Sequence, residues 1–275
     1  MERGTKMTLD QNAIKEYTAF ACRLVEIAGS TILPHFREVI DVENKHLGKG
    51  YDPVTVADRA AEQAMRDEIA RVYPGHGVFG EEHGALESRD GLTWVIDPID
   101  GTRAFVIGLL HWGVLLALND GERPVIGVMH QPYVGETFVG SPLGAELRRG
   151  GAARTLRTRA CGDLKHATVC ATDPAMFKGP GEHEVFRSVT AKARTWRYGT
   201  DCYAFSLLAA GFTDLVIESG LKPYDIQPLI PIIEAAGGIV TTWAGGDAYD
   251  GGQVIAAGDR RMHAAALELL QPAAR

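Results

Sequence analysis

The run Trp94-Val95-Ile96-Asp97-Pro98-Ile99-Asp100-Gly101-Thr102-Arg103 holds the residue types best suited to chemistry. Its apolar start reads as a strand that delivers Asp97 to its end, the usual place for functional groups on α/β sheets. Pro98 fixes one backbone torsion and stiffens the turn. The three-residue step from Asp97 to Asp100 can bring both carboxylates to one side of that turn. Two anions so close raise each other's pKa unless a cation sits between them. Hard oxygen donors without Cys or His favour Mg²⁺ or Mn²⁺ over zinc. Gly101 lets the backbone approach a ligand closely, and Thr102 can offer a hydroxyl and an amide N–H to phosphate oxygens. A solvated Asx turn, or an Asp capping a helix, would use the same residues. Partners elsewhere in the chain must decide between these readings.

Other motifs contribute little. Gly75-His76-Gly77-Val78-Phe79-Gly80 matches the dinucleotide fingerprint, but that fingerprint works only between a strand and a helix. Here a helix precedes it and Glu81-Glu82 would repel phosphate, so it reads as a turn. The nine histidines and four cysteines show no zinc-ligand spacing, and the cysteines read as scattered reduced thiols.

The elements that must position these residues follow from periodicity. Apolar residues at three- and four-residue steps predict a helix from about Thr8 to Phe36, distorted or ended by Pro34. A second helix follows Asp52-Pro53-Val54-Thr55, with Thr55 and Asp58 fitting a loose capping box, and stops at Tyr73-Pro74-Gly75. From Val78 to about Gly140 short β-type runs are punctuated by Gly, Pro and Asp. After Gly150 strands and helices alternate, with helices expected at Glu182 to Ala193, Cys202 to Ala210, Ile226 to Ala236 and from about Asp259. The boundary is placed near Leu147 to Gly151. This gives an N-terminal α+β half, 1–148, with most of the acidic residues, and a C-terminal α/β half, 149–275.

The chain resembles the inositol-monophosphatase family of metal-dependent phosphatases. Three of that family's segments occur in order: Gly80-Glu81-Glu82, Asp97 to Thr102, and the aromatic-Asp pair Tyr224-Asp225. The matched stretch runs from about Asp52 to Gly238. The resemblance implies a layered αβαβα sandwich, usually homodimeric, with two or three Mg²⁺ ions (Mn²⁺ as a substitute) between the halves. Glu81 and Asp97, with the carbonyl of Ile99, would bind the first metal. Asp97, Asp100 and Asp225 would bind the second. Gly101 and Thr102 would donate amide N–H groups to phosphate. Asp58 would pair with the Thr102 hydroxyl to orient the attacking water, so Asp58, Thr102 and Glu81 form the expected catalytic set. Glu82 is expected to lie behind the ligands or in solvent.

Substrate choice is expected from the second half, through Gly199, Thr200, Asp201, Glu218 and Asp225. Arg103 would line the pocket or pair locally, and Lys45 or Lys49 would help hold phosphate or metal-bound water. The runs Asp201-Cys202-Tyr203, Gly220 to Ile226 and Asp100 to Phe105 look most like the histidinol-phosphatase branch. Extra carboxylates near the leaving group suit an ammonium, as in L-histidinol phosphate, better than a neutral polyol. As a competing expectation, Asp201 could simply cap its helix. Inositol-1-phosphate or another small sugar or nucleotide phosphate is the alternative within the same chemistry. A metal- and phosphate-binding regulatory protein without turnover is the alternative outside it.

The bulk composition agrees with an enzyme of small molecules. Among 275 residues 45% are hydrophobic and 23% charged, as in ordinary globular domains. The net charge of −7 argues against non-specific binding to nucleic acid or anionic membranes, which needs a basic footprint. Apolar runs such as Trp112 to Leu118 are far shorter than the roughly 20 residues of a bilayer span. With no apolar segment near Met1, the expectation is a soluble cytoplasmic protein acting on a small phosphate ester.

Overall fold

The computed structural model describes residues 9–39, 42–44 and 53–275; Lys45 and Lys49 lie outside them. Helix α1 (Gln11–Ile32) begins where the Asp10 side chain accepts the Ala13 amide at 2.8 Å, and it gives way to a 3₁₀ turn at Leu33–His35. Pro34 sits in that turn, so the α-helix ends four residues before Phe36. A ribbon of β1 (Val42–Asn44) and β2 (Pro53–Thr55) leads into α2 (Val56–Val72). The capping box is formed there: Asp58 Oδ2 accepts from the Thr55 amide at 2.8 Å and its hydroxyl at 2.6 Å.

Eight strands then build the first sheet: β3 (Gly77–Gly80), β4 (Gly84–Leu86), β5 (Thr93–Asp100), β6 (Gly113–Asn119), β7 (Pro124–Gln131), β8 (Glu136–Ser141), β9 (Gly144–Arg149) and β10 (Ala152–Thr155), with the short helix α3 (Thr102–Val106) between β5 and β6. Their order is β10-β9-β8-β7-β6-β5-β3-β4, antiparallel except where β3 and β5 run together. The second sheet holds β11 (Thr168–Ala171), β12 (Thr195–Tyr198), β13 (Leu215–Leu221), β14 (Ile239–Thr242) and β15 (Gly252–Ala257), in the order β12-β11-β13-β15-β14. Its helices are α4 (Glu182–Thr190), α5 (Asp201–Ala209), α6 (Pro223–Ile226), α7 (Leu229–Ala235) and α8 (Arg260–Leu270).

Strand periodicity sorts the apolar side chains into three cores. On β6, Val114, Leu116 and Leu118 face α1 and α2, while Leu115 faces the middle of the molecule. On β13, Val216 joins that middle core with Phe205 and Ile230, whereas Leu215 and Ile217 join an outer core with Phe186 and Met262. The result is five layers: α1/α2, the first sheet, α5/α7, the second sheet, and α4/α8. This is the expected αβαβα sandwich.

Three local expectations change. The helix predicted over Ile226 to Ala236 is split into α6 and α7 at Gln227-Pro228. Pro228 has no amide to continue the first helix and restricts the residue before it. Residues 144–155 form the β9–β10 hairpin of the first sheet, so the boundary near Leu147 to Gly151 falls on its turn. We therefore propose that the halves divide after Thr155. The α/β alternation after Gly150 is real, but only β11, β12 and β13 are parallel; β15 runs antiparallel to its neighbours. No helix among the described residues is long and apolar enough to cross a membrane.

Candidate active site

β3 and β5 are parallel, with Gly80 opposite Ile96, so Glu81 and Asp97 emerge side by side at their C-terminal ends. The Glu81 amide donates to the Ile96 carbonyl at 3.2 Å and closes this corner. Past Asp97 the pairing of β5 with β6 slips between Asp97 and Asp100. That irregularity turns both aspartates inward. Asp97 Oδ1 accepts the Ile99 amide at 3.0 Å, tightening the turn around Pro98. Gly101 has φ +83°, a left-handed conformation that lets α3 start immediately after the turn.

From the second half, α6 brings Asp225, whose Oδ2 accepts the Lys222 amide at 2.7 Å. Asp225 is thus in the third position of α6, not at the cap of a helix beginning at Ile226. Tyr224 lies with its ring 6.0 Å from that of Phe79, just before Gly80. α5 brings Asp201, and the Cys202 amide behind it donates to Asp100 Oδ2 at 2.8 Å.

These residues enclose one cavity of about 300 Å³. Of the residues expected in the site, Glu81, Asp97, Ile99, Asp100, Gly101, Thr102, Arg103, Asp201 and Asp225 line it. Among the described residues, Thr172, Lys222 and Tyr224 also line it. Lys222 and Tyr224 lie in a run already noted for its resemblance, but Thr172 is new. It directly follows β11, which is parallel to β12 and β13, so the strand-end rule that picks out Asp97 applies to it too.

The electrostatics suit a cation. Carboxylate oxygens of Asp97, Asp100 and Asp225 lie within 4.8 Å of one another. Burial, and then the charges of Glu81, Asp100 and Asp225, hold the Asp97 carboxyl well above its usual range. Burial and the charge of Asp100 do the same to Asp225. Burial also raises Asp100, but the Cys202 contact pulls it back. A buried, mutually repelling set of hard oxygens, with no Cys or His among the described residues of the wall, fits a divalent ion such as Mg²⁺ or Mn²⁺. Asp201 is pushed up to about 8, first by burial and then by Asp100, with Arg103 opposing.

Several expected placements differ. The Thr102 hydroxyl donates to the Ile99 carbonyl at 2.9 Å, so its one proton is not on Asp58. Asp58 is buried at the start of α2 and is not in the cavity wall. Glu218 is 1% exposed and sits behind Thr172, whose amide and hydroxyl donate to Glu218 Oε1 at 2.9 and 3.1 Å. It meets the cavity wall through Thr172. Gly199 and Thr200 are not in the wall either; the Gly199 amide donates to the Thr172 carbonyl at 2.8 Å. Asp201 is not the helix cap: Thr200 takes that place, and Asp201 begins α5 with φ +40°. A non-glycine residue held there costs of order 1–3 kcal/mol, a strain that tends to persist at functional sites. Arg103 both lines the cavity and pairs with Asp173 at 3.7 Å.

The sequence profile of the inositol monophosphatase family matches residues 13–274. The chain belongs to that family. It is 37% identical to the chloroplastic bifunctional phosphatase IMPL2 of Arabidopsis thaliana, over 96% of this chain and 77% of that protein. It is 31% identical to a histidinol-phosphatase of Chlorobaculum parvum, over 88% and 92% of the two chains. Among solved structures, an inositol monophosphatase of Zymomonas mobilis superposes with a TM-score of 0.83 at 38% identity, covering 94% of this chain and 99% of that one. Membership supports hydrolysis of phosphate esters and agrees with the acidic cluster as a metal centre.

Proposed function

We propose that this family member is a Mg²⁺-dependent phosphate monoesterase whose substrate is L-histidinol phosphate. The supporting observation is the convergence of Glu81, Asp97, Asp100, Asp225 and Asp201 on one cavity that also carries Gly101 and Thr102. Asp97, Asp100 and Asp225, with Glu81 and the Ile99 carbonyl, would hold Mg²⁺. Bound divalent ions neutralise the carboxylates and phosphate, and lower the pKa of a coordinated water.

The chain's own groups do the rest. The first amides of α3 have no intrahelical acceptor, and Gly101 and Thr102, which line the cavity, would offer theirs to phosphate oxygens. Lys222 and Arg103 add positive charge at the rim of an otherwise acidic wall. Thr102 directs the attacking water once its hydroxyl turns from the Ile99 carbonyl. Asp58 fixes the start of α2 through Thr55. Asp201 and Thr172, whose hydroxyl is held by Glu218, line the same cavity and would receive the leaving group. Asp201, raised by burial and by the Asp100 charge, ionises against a cationic partner, which favours an ammonium-bearing alcohol. Relatives named histidinol-phosphatase support the same choice. A cytoplasmic homodimer belongs to this reading, and light scattering of the purified protein tests the dimer.

The decisive experiment is phosphate release with and without Mg²⁺ from histidinol phosphate, inositol-1-phosphate, fructose-1,6-bisphosphate and 3′-phosphoadenosine-5′-phosphate. Histidinol phosphate is expected to give the highest kcat/KM. Asp201→Asn should lower that value about tenfold or more while changing inositol-1-phosphate little, since charge-assisted bonds are worth roughly 1.5–3 kcal/mol. Equal losses on both substrates, or a better rate on the inositol ester, would overturn the histidinol assignment.

A further inference from the structure

Glu62 is a charged residue with 0% exposure, and it lies outside the cavity wall. It stands one helical turn after Asp58 and one before Arg66, so three polar side chains run along α2 at four-residue steps. Around them the helix buries Ala57, Ala61, Met65 and Ile69. A buried carboxylate is costly unless its oxygens are fully bonded. Among the described residues the bonds of Glu62 go to the turn after β3 and to Arg66. Glu62 Oε2 accepts the Glu82 amide at 2.7 Å, and Oε1 accepts the His83 amide at 3.1 Å. Arg66 Nε pairs with Oε1 at 2.7 Å, and Arg66 also donates to the Gly84 carbonyl. The turn that follows β3 is therefore fastened to α2 on both sides.

The strand leaves room for this contact only by omission. A β-carbon on Gly80 would stand 2.1 Å from Glu62 Oε1, so any larger residue would expel the carboxylate. Between Gly80 and the two bonded amides lies a single residue, Glu81. We propose that Glu62 is a positioning residue for Glu81, fixing the direction in which that side chain leaves β3 and holding it beside Asp97. This rests on the reading above in which Glu81 and Asp97 share a divalent cation.

The test is Mn²⁺ binding to the full chain, read from the paramagnetic resonance signal of free Mn²⁺, with melting in EDTA recorded in parallel. Glu62→Gln keeps the shape but turns an NH₂ toward one of the two amides. Its Mn²⁺ dissociation constant should rise about tenfold or more, the usual effect of losing a group that orients a ligand. Val189→Ala, in the outer core of the second half, is the control for general loosening and should bind Mn²⁺ as the unaltered protein does. Glu81→Gln reports on the underlying reading. If Glu81→Gln weakens binding and Glu62→Gln does not, the positioning role is wrong and the metal site stands. If Glu81→Gln binds normally, the metal role of Glu81 falls and the inference with it. If Val189→Ala loses as much as Glu62→Gln, the effect is loosening and the inference fails. Should Glu62→Gln not fold, Arg66→Lys keeps the charge opposite Glu62 but cannot span to the Gly84 carbonyl. A smaller loss of affinity is then expected, and unchanged affinity overturns the proposal.

Discussion

The Cys202 amide donates to Asp100 Oδ2 at 2.8 Å, tying the first turn of α5 to the bulge that ends β5. Asp100 thus serves the acidic cluster and also holds the two halves in register. Asp100→Asn keeps an acceptor for Cys202, whereas Asp100→Leu leaves a buried N–H without one. In EDTA the Leu variant should unfold about 1–3 kcal/mol more easily than the Asn variant. Both should lose Mg²⁺-dependent phosphate release. Urea unfolding of the pair isolates the bond, because both substitutions remove the same charge.

Asp97 is 2% exposed and is raised by burial and by three neighbouring carboxylates. Asp97→Asn relieves that repulsion while its Oδ1 still accepts the Ile99 amide. The variant should melt higher than the unaltered protein in EDTA, by an amount equivalent to about 1 kcal/mol or more, yet lose turnover and the rise in melting temperature caused by Mg²⁺. A variant that melts lower in EDTA would contradict the repulsion argument.

Gly101→Ala should be severe. Besides its φ of +83°, a β-carbon there would meet the His111 carbonyl oxygen at 2.6 Å and the Trp112 Cα at 3.2 Å. Both obstacles are backbone, so the chain must move. A stability loss of about 2 kcal/mol or more is expected, with a fall in phosphate affinity as α3 shifts. Competition by inorganic phosphate measures the second effect.

Acid stability carries a signature of His130. Burial lowers its pKa from 6.5 to about 4. The unfolded chain therefore takes up a proton that the folded chain refuses between those values. This contribution is complete above about pH 6.5 and is lost as pH falls toward 4, for a total of roughly 3 kcal/mol. Replacing His130 with Gln should flatten the decline in urea midpoint between pH 7 and pH 4.5. An unchanged slope would show that His130 is not a neutral buried base.

How much of this was legible beforehand differs by residue, for physical reasons. The meeting of Glu81, Asp97, Asp100 and Asp225 on one cavity could be anticipated because three segments resembled a known family in order; by residue type alone, an Asx turn and helix caps would have accounted for the aspartates. The Thr55–Asp58 cap was also legible, since a capping box is local in sequence. Glu62 was not: on a helix of ordinary polar composition, one Glu facing inward resembles its solvated neighbours. Thr172 lines the cavity with Glu218 behind it, a placement that depends on the end of β11 lying beside β13 and so is hidden in the sequence. The β9–β10 hairpin was missed because the β-type runs read from the sequence stop near Gly140 and the arginines of 144–155 mask the alternation; strand pairing there depends on the neighbouring β8. The competing reading of Asp201 as a helix cap misses by one residue, because helix starts read from pattern are uncertain by a residue or two.

The acid trio draws Asp97 and Asp100 from the first sheet and Asp225 from a short helix far downstream. Translation delivers these pieces in that order. A growing polypeptide released at the β9–β10 hairpin would own a sheet and most of the acids, but no third carboxylate, no Thr172 and no α5 to brace Asp100. Competence is therefore all-or-none along the message: nonsense or proteolytic fragments of either part should be inert when alone, and only their reassociation could restore turnover.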